Sequence, residues 1–460
     1  MAFQLPDRRE MRSVLALAAP IALMQLGLVS YGVADTLFMG RLGAWAVAGV
    51  GVGGATYFAL FISGIGTLLG IDTLSSRAYG AGRPRDCAAV LMHAVVLAVA
   101  VSSALFGLLH FAGPFYRWVG VEPSVADVAL EYLGVLKWMM FPGLLFAACR
   151  QYLQSMDVTR PQLWAIVSGN VLNVLLNYAL VFGKLSFPAL GVVGCALASV
   201  VSSTAMLAVV AAAASGEARR AGFAFRGWRA RTFRDLLRLG MPVGGQILIE
   251  VSAFSLVTTL MGRFGPVPTA AHQITMNLAS VTFMVPLGIG AAAAVRVGQA
   301  IGRGDSGGAA RAGDAALLLA VLFMGCASVA FWTLPAALIR LYTPDAAVAA
   351  LGATFLRVAA LFQIFDGMQI VLAGALRGVG ETRIPLLANA AGHAVLGLPL
   401  GYWLAFSAGA GPRGLWFGLL AGLALVAVSL FAVWRRRALS AGRAQIPALV
   451  ARSADRRLHP

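Results

Sequence analysis

Apolar segments of about 20 residues recur along the whole chain, each long enough to cross a hydrocarbon core of roughly 30 Å. Twelve can be drawn, at 14–38, 46–74, 88–111, 130–152, 163–182, 192–214, 239–260, 270–295, 315–341, 347–375, 384–406 and 415–434. The pattern predicts an all-α polytopic membrane protein with twelve transmembrane helices. The first segment follows a charged stretch holding Asp7, Arg8, Arg9, Glu10 and Arg12, with no short apolar region and cleavage site of a removed signal.

The polar connections alternate in charge. Every second one is basic: Arg77, Arg83 and Arg85; Arg160; the central loop 215–238 with seven arginines against Glu217 and Asp235; Arg296, Arg303 and Arg311; Arg377 and Arg383. The tail adds Arg435, Arg436 and Arg437, whereas Arg41, Arg117, Lys184, Arg263 and Arg413 stand mostly alone. Basic loops stay on the cytoplasmic side, so both termini and the central loop are expected there, in the inner membrane of a bacterium.

The chain also repeats itself at a spacing near 222 residues. Pro20 answers to Pro242, and Met39-Gly40-Arg41-Leu42-Gly43 to Met261-Gly262-Arg263-Phe264-Gly265. Ala78 to Arg83 answers to Ala300 to Gly304, and Thr159-Arg160-Pro161 to Thr382-Arg383-Ile384-Pro385. The expected organisation is a six-helix lobe at 1–214, a basic linker at 215–238, a second six-helix lobe at 239–434 and a basic tail at 435–460. Six spans is an even number, so the lobes are parallel repeats, an arrangement suited to two lobes rocking about a midplane site.

Composition agrees: 60% of residues are hydrophobic and 12% charged, where a soluble protein carries about 25%. The net charge of +17 does not point to nucleic acid, because the arginines lie in turns and tail rather than on one folded face. Cys87, Cys149, Cys195 and Cys326 are too scattered for a metal site or a disulfide framework.

Against this background the acids inside spans stand out, since a carboxylate near the bilayer centre costs roughly 2.5–3.5 kcal/mol on insertion scales. Asp366 sits in the middle of the tenth span, Glu250 deep in the seventh, and Asp35 towards the outer end of the first. Such acids bind ions, move protons, or lock helices together through hydrogen bonds. Asn173 and Asn177 are four apart in the fifth span and share one face, suiting either cation contact or helix packing. Gln246, Phe362 and Met368 lie close to the acids along the chain and are expected as further cation or substrate contacts. Asp72 is expected within reach of arginines at the cytoplasmic end of the second span. Arg357 is nine residues before Asp366, too far along one helix for a pair. Glu131 and Lys137 can snorkel, and His93, His272 and His393 have no metal spacing. No phosphate-binding loop, zinc-protease motif or nucleophile elbow is present, so neither enzyme chemistry nor direct use of ATP is expected.

The chain resembles the MATE (multidrug and toxic compound extrusion) transporters of the NorM type from about Pro20 to Trp434. The resemblance rests on Asp35-Thr36 followed by Met39 to Gly43, on Glu250, on Ala271-His272-Gln273-Ile274, on Val295 to Gly302, and on Asp366-Gly367 with Arg377-Gly378. It implies a two-lobe secondary antiporter exchanging Na⁺ or H⁺ for organic cations or amphipathic drugs, working as a monomer with no cofactor. It places cation sites at Glu250 and Asp366, with Na⁺ as one candidate occupant, and at Asp35, Asn173 and Asn177. Two departures bear on the ion: Phe362 stands where some sodium-coupled relatives have a tyrosine, and the fifth span has no Asp. A flippase for lipid-linked precursors, from the same broad superfamily, is the alternative; a midplane with acids instead of basic residues argues against it.

Overall fold

The structure is a computed structural model that describes residues 8–222 and 228–455. Among these residues it is helical and contains no strand. Twelve helices are long and apolar enough to span a membrane. They are α1 (Arg8–Leu42), α2 (Trp45–Gly80), α3 (Pro84–Leu109), α4 (Pro123–Ser155), α5 (Arg160–Phe182) and α6 (Gly191–Arg220), then α7 (Ala230–Phe264), α8 (Pro266–Gly302), α9 (Ser306–Thr333), α10 (Ala346–Gly378), α11 (Arg383–Ser407) and α12 (Pro412–Arg437). Each overlaps one of the twelve segments read from the sequence.

The helix ends follow local chemistry. Asp345 precedes α10 and accepts from the backbone N–H groups of Ala347 (2.8 Å) and Val348 (3.1 Å). Asp305 does the same for α9 through Gly308 N–H at 2.7 Å. Such caps satisfy donors that the helix itself leaves unpaired. The ninth span ends at Thr333, short of the expected 341, because Leu334 and Pro335 start a separate short helix, Pro335–Arg340. Proline has no N–H to continue the ladder. Much of the expected linker is helical: α6 runs to Arg220 and α7 starts at Ala230, while 223–227 lie outside the described residues. The last residues of the expected tail, 456–460, also lie outside them.

Contacts divide the chain into two compact units. The first holds Leu23–Ser75 and Arg83–Gly244. The second holds Gly245 onward, Ser76–Gly82 and the start of the chain up to Ala22. These units differ from the two halves of the sequence, because each includes the opening turns of the other half's first helix. The division falls just after Pro20 in α1 and just after Pro242 in α7. Glycines make the exchange feasible. In the second unit a Cβ on Gly288 of α8 would stand 2.7 Å from Ala22 N. In the first, a Cβ on Gly244 of α7 would stand 2.9 Å from the Ser63 carbonyl oxygen of α2. Ala22 and Gly244 are equivalent positions of the repeat.

Within the second unit α8 and α10 also meet backbone to backbone. A Cβ on Gly290 would lie 2.8 Å from the Ile370 carbonyl oxygen, and one on Gly374 would overlap the carbonyl of Gly290. Helix α11 contains two π-helical stretches, Ala390–Gly397 and Trp403–Ser407, and packs Gly397 and Gly401 against Gly418 of α12. Small residues permit such close packing where no hydrophobic effect drives helices together. An aromatic core of Phe254, Phe355, Phe362 and Trp416 fills the space between α7, α10 and α12. Large apolar side chains such as Leu37 (67% exposed), Trp164 (69%) and Val395 (74%) lie on the outside, as a lipid-facing surface requires.

Substituting Gly374→Val should push α10 away from α8 and cost about 1–3 kcal/mol. Gly325→Val in α9, where a new Cβ meets nothing within 4 Å, is the control. Thermal unfolding of the purified protein in detergent is expected to show a lowered midpoint for the first variant only.

Candidate functional site

In the first unit, α1, α5 and α6 bring four polar side chains together. Asp35 is 8% exposed, and Asn173 and Asn177 are fully buried. Asp35 Oδ1 accepts from Asn177 Nδ2 at 2.7 Å and from Asn173 Nδ2 at 3.2 Å. Its Oδ2 accepts from the Ser199 hydroxyl at 2.8 Å. Asn177 Nδ2 also donates to Asn173 Oδ1 at 3.1 Å, and the Tyr31 hydroxyl donates to the Ser199 carbonyl at 2.8 Å. The four-residue spacing of the two asparagines puts both amides on one carboxylate. Ser199 and Tyr31 were not singled out in the sequence. Tyr31 is one turn before Asp35 and could have been, but a serine among the small residues of α6 carries no signal.

In the second unit, α7 and α10 bring two acids to one amide. Gln369 Nε2 donates to Glu250 Oε1 at 2.7 Å and reaches Asp366 Oδ1 at 3.5 Å. Asp366 is 6% exposed, Gln369 fully buried and Glu250 partly buried. Gln369 Oε1 has no donor among the described residues. Gln369 follows Asp366 by three residues on one helix face, a spacing that could have marked it. Gln363 of α10 donates to the Thr282 hydroxyl of α8.

The remaining candidates are spread over both units. Gln246, one turn before Glu250, is buried. Phe362 belongs to the aromatic core, with its ring centroid 6.0 Å from that of Phe254 and 6.1 Å from that of Trp416. Met368 is partly buried. Arg357 is exposed on α10. Asp72 is fully buried in the first unit, where Arg150 is one cation that acts on it electrostatically. His93, His272 and His393 are buried singly, and no group of three or more His, Cys, Asp or Glu able to hold a metal ion occurs among the described residues.

Asp35, Glu250 and Asp366 share one electrostatic property: none forms an ion pair among the described residues. A buried carboxylate held only by neutral donors is costly until a proton or cation neutralises it. Both clusters are therefore cation-seeking.

A sequence model of the MatE family matches the chain twice, over residues 20–179 and 242–403. The chain belongs to the MatE family. The two matches start 222 residues apart, the spacing of the internal repeat. This MatE chain is 38% identical to a probable multidrug resistance protein NorM of Mesorhizobium japonicum, over 94% of each chain. It is 37% identical to the multidrug resistance protein NorM of Burkholderia vietnamiensis, over 91% of this chain and 92% of that one. Among solved structures, a eukaryotic MATE transporter superposes with a TM-score of 0.85 at 21% identity, covering 94% of this chain and 98% of that one. An outward-facing multidrug resistance MATE family transporter of the MOP superfamily gives 0.86 at 18% identity, covering 96% and 100%. These likenesses establish the fold. The MatE chain is thus a multi-pass membrane protein of a transporter family, not an enzyme.

If the asparagine amides hold Asp35, Asp35→Asn and Asn177→Leu must be energetically coupled. A double-mutant cycle by thermal or chemical unfolding is expected to give an interaction of roughly 0.5–3 kcal/mol. Strictly additive effects would rule the bond out.

Proposed function

We propose that this MatE chain is a cation-coupled secondary antiporter that exports organic cations and amphipathic drugs by alternating access. Na⁺ or H⁺ is the coupling ion. The observation that carries the reading is the pairing of Glu250 and Asp366 on the single amide of Gln369, with neither acid in an ion pair among the described residues. The names of the relatives from Mesorhizobium japonicum and Burkholderia vietnamiensis, multidrug resistance proteins, support drugs as cargo.

Two carboxylates around one amide hold a coupling ion or a cationic drug in turn, and mutual exclusion is enough to couple the fluxes. A proton needs only one of the carboxyls. Na⁺ is a hard cation that needs several oxygens; the two carboxylates and Gln369 Oε1, once its amide rotates, supply them. Asp35 with Asn173, Asn177 and Ser199 forms a second cation-seeking cluster. Gln246 and Met368 border the first, and Phe362 acts there by shaping its apolar wall. A membrane potential adds roughly 2.3 kcal/mol per net charge moved per 100 mV, so it drives export only if the exchange is electrogenic. In this reading the halves 1–214 and 239–434 are the repeated lobes of the transport cycle, joined by 215–238 and followed by the tail 435–460. The chain works as a monomer in a bacterial inner membrane, with both termini cytoplasmic as the arginine bias requires.

Asp366→Asn and Glu250→Gln keep size and hydrogen bonding while removing charge. Each is expected to abolish efflux from proteoliposomes driven by a sodium or proton gradient, and the double variant should be no worse than either single one. Wild-type efflux in a well-inserted single variant would return that acid to helix packing. Imposing each gradient alone on the wild-type protein identifies the ion.

Topology is checked separately. Gly216 near the end of α6 has open space around it, and a Gly216→Cys variant should react with a membrane-impermeant thiol reagent only when the cytoplasmic face is accessible. Labelling from outside intact cells would invert the assignment.

A further inference from the structure

Away from the acids, the second unit has a cavity of about 580 Å³ at the arginine-rich ends of α1, α8 and α9. Arg9, Glu10 and Ser13 of α1 line one side. Arg296 of α8, Arg303 and Asp305 of the α8–α9 turn, and Arg311 of α9 line the rest. We propose that this cavity is a binding site for a phosphate-bearing anion, either the headgroup of an anionic phospholipid or a soluble phosphate. The proposal is independent of the transport reading.

Charge is the first argument. Four guanidinium groups face two carboxylates, and both carboxylates are already engaged. Glu10 Oε1 accepts from Arg296 Nη2 at 3.0 Å. Asp305 caps α9 through Gly308 N–H at 2.7 Å, and its other oxygen is 3.7 Å from Arg311 Nη2. Arg303 is exposed and forms no ion pair among the described residues. The Arg311 contact is long, and that side chain is 57% exposed, so it contributes little and yields readily to a better acceptor.

Shape is the second. The rule that keeps basic residues on the cytoplasmic side asks only for charge near the span ends. It does not ask for a concavity, nor for an arginine fixed within it. Arg296 keeps 21% of its side chain exposed and is held by Glu10, so one guanidinium is oriented in advance. Like charges gathered round a hollow repel one another until an anion enters.

Residue type is the third. All four cations are arginines, whose planar fork meets two oxygens of a phosphate at once, as a lysine does not. Helix ends at the membrane surface meet both lipid headgroups and soluble anions, so both sources are chemically equivalent here.

The test uses the full chain purified in neutral detergent. Retention of phosphatidylglycerol against phosphatidylcholine is read by native mass spectrometry. Thermal stabilisation by inorganic phosphate is read against chloride at equal ionic strength. The wild type is expected to prefer phosphatidylglycerol, to be stabilised by phosphate, or both. A lipid preference alone identifies a headgroup site, and a phosphate effect identifies a soluble ligand. In the double variant Arg303→Gln, Arg311→Gln the effect should weaken about tenfold, the loss expected for charge-assisted hydrogen bonds. Arg303→Gln by itself disturbs no ion pair and gives the same comparison if the double variant loses its fold. Arg160→Gln, an exposed arginine at the start of α5, should leave binding unchanged. The proposal is overturned if the wild type shows neither preference, or if Arg160→Gln weakens binding as much as the cavity variants do.

Discussion

A carboxylate inside hydrocarbon needs hydrogen-bond donors, and there the protein's own side chains, often on neighbouring helices, must supply them. Asp35 on α1 takes its donors from α5 and α6, and Glu250 on α7 takes its donor from α10. Every such bond obliges two helices to stay close at a defined height and rotation. The glycine contacts serve that obligation. Gly290 and Gly374 bring α8 against α10 within two turns of Gln369 and Asp366, and so hold the helix that carries both.

Among the described residues, neither acid cluster holds its own counter-charge. An arginine beside Glu250 or Asp366 would satisfy them permanently and leave nothing for a cation to do. Neutral amides and a hydroxyl instead lower the cost of burial without neutralising the charge. The contrast with the basic ends is sharp. There Glu10, Asp314 and Glu381 each have an arginine within 3.4 Å, and the charges fasten helix ends together near water, where ion pairs are cheap to form and to break.

The exchange of opening turns gives the repeat a structural meaning. Each half contributes the first part of its first helix to the other unit, and the two crossing points fall just beyond Pro20 and Pro242. A proline in a helix interior removes one backbone hydrogen bond and favours a bend. Gly288 of α8 then lets the incoming α1 approach at Ala22, and Gly244 of the incoming α7 lets it approach α2, with Ala22 and Gly244 at equivalent places. A duplicated chain that kept both prolines and both glycine faces keeps both crossings.

The sequence by itself determined the membrane class, the twelve helices and their repeat. These depend on segment length, on total hydrophobicity and on residues a fixed distance apart, all of which are one-dimensional quantities. It also marked the acids, because a charge in an apolar run is conspicuous wherever the run folds. Tertiary structure decided which neutral groups answer those acids. Ser199 is an ordinary residue along the chain, and only the packing of α6 on α1 gives it a carboxylate to bind; Gln369 has Asp366 on its own helix and gains Glu250 only through the packing of α10 on α7. It also placed Phe362, one turn before Asp366 on the same helix face, in an aromatic core with Phe254 and Trp416, because α7 and α12 bring those rings to it. The crossing of α1 and α7 between units was decided in the same way. Proline and glycine permit a close approach at a point, but which helix approaches there depends on surfaces far apart in the chain.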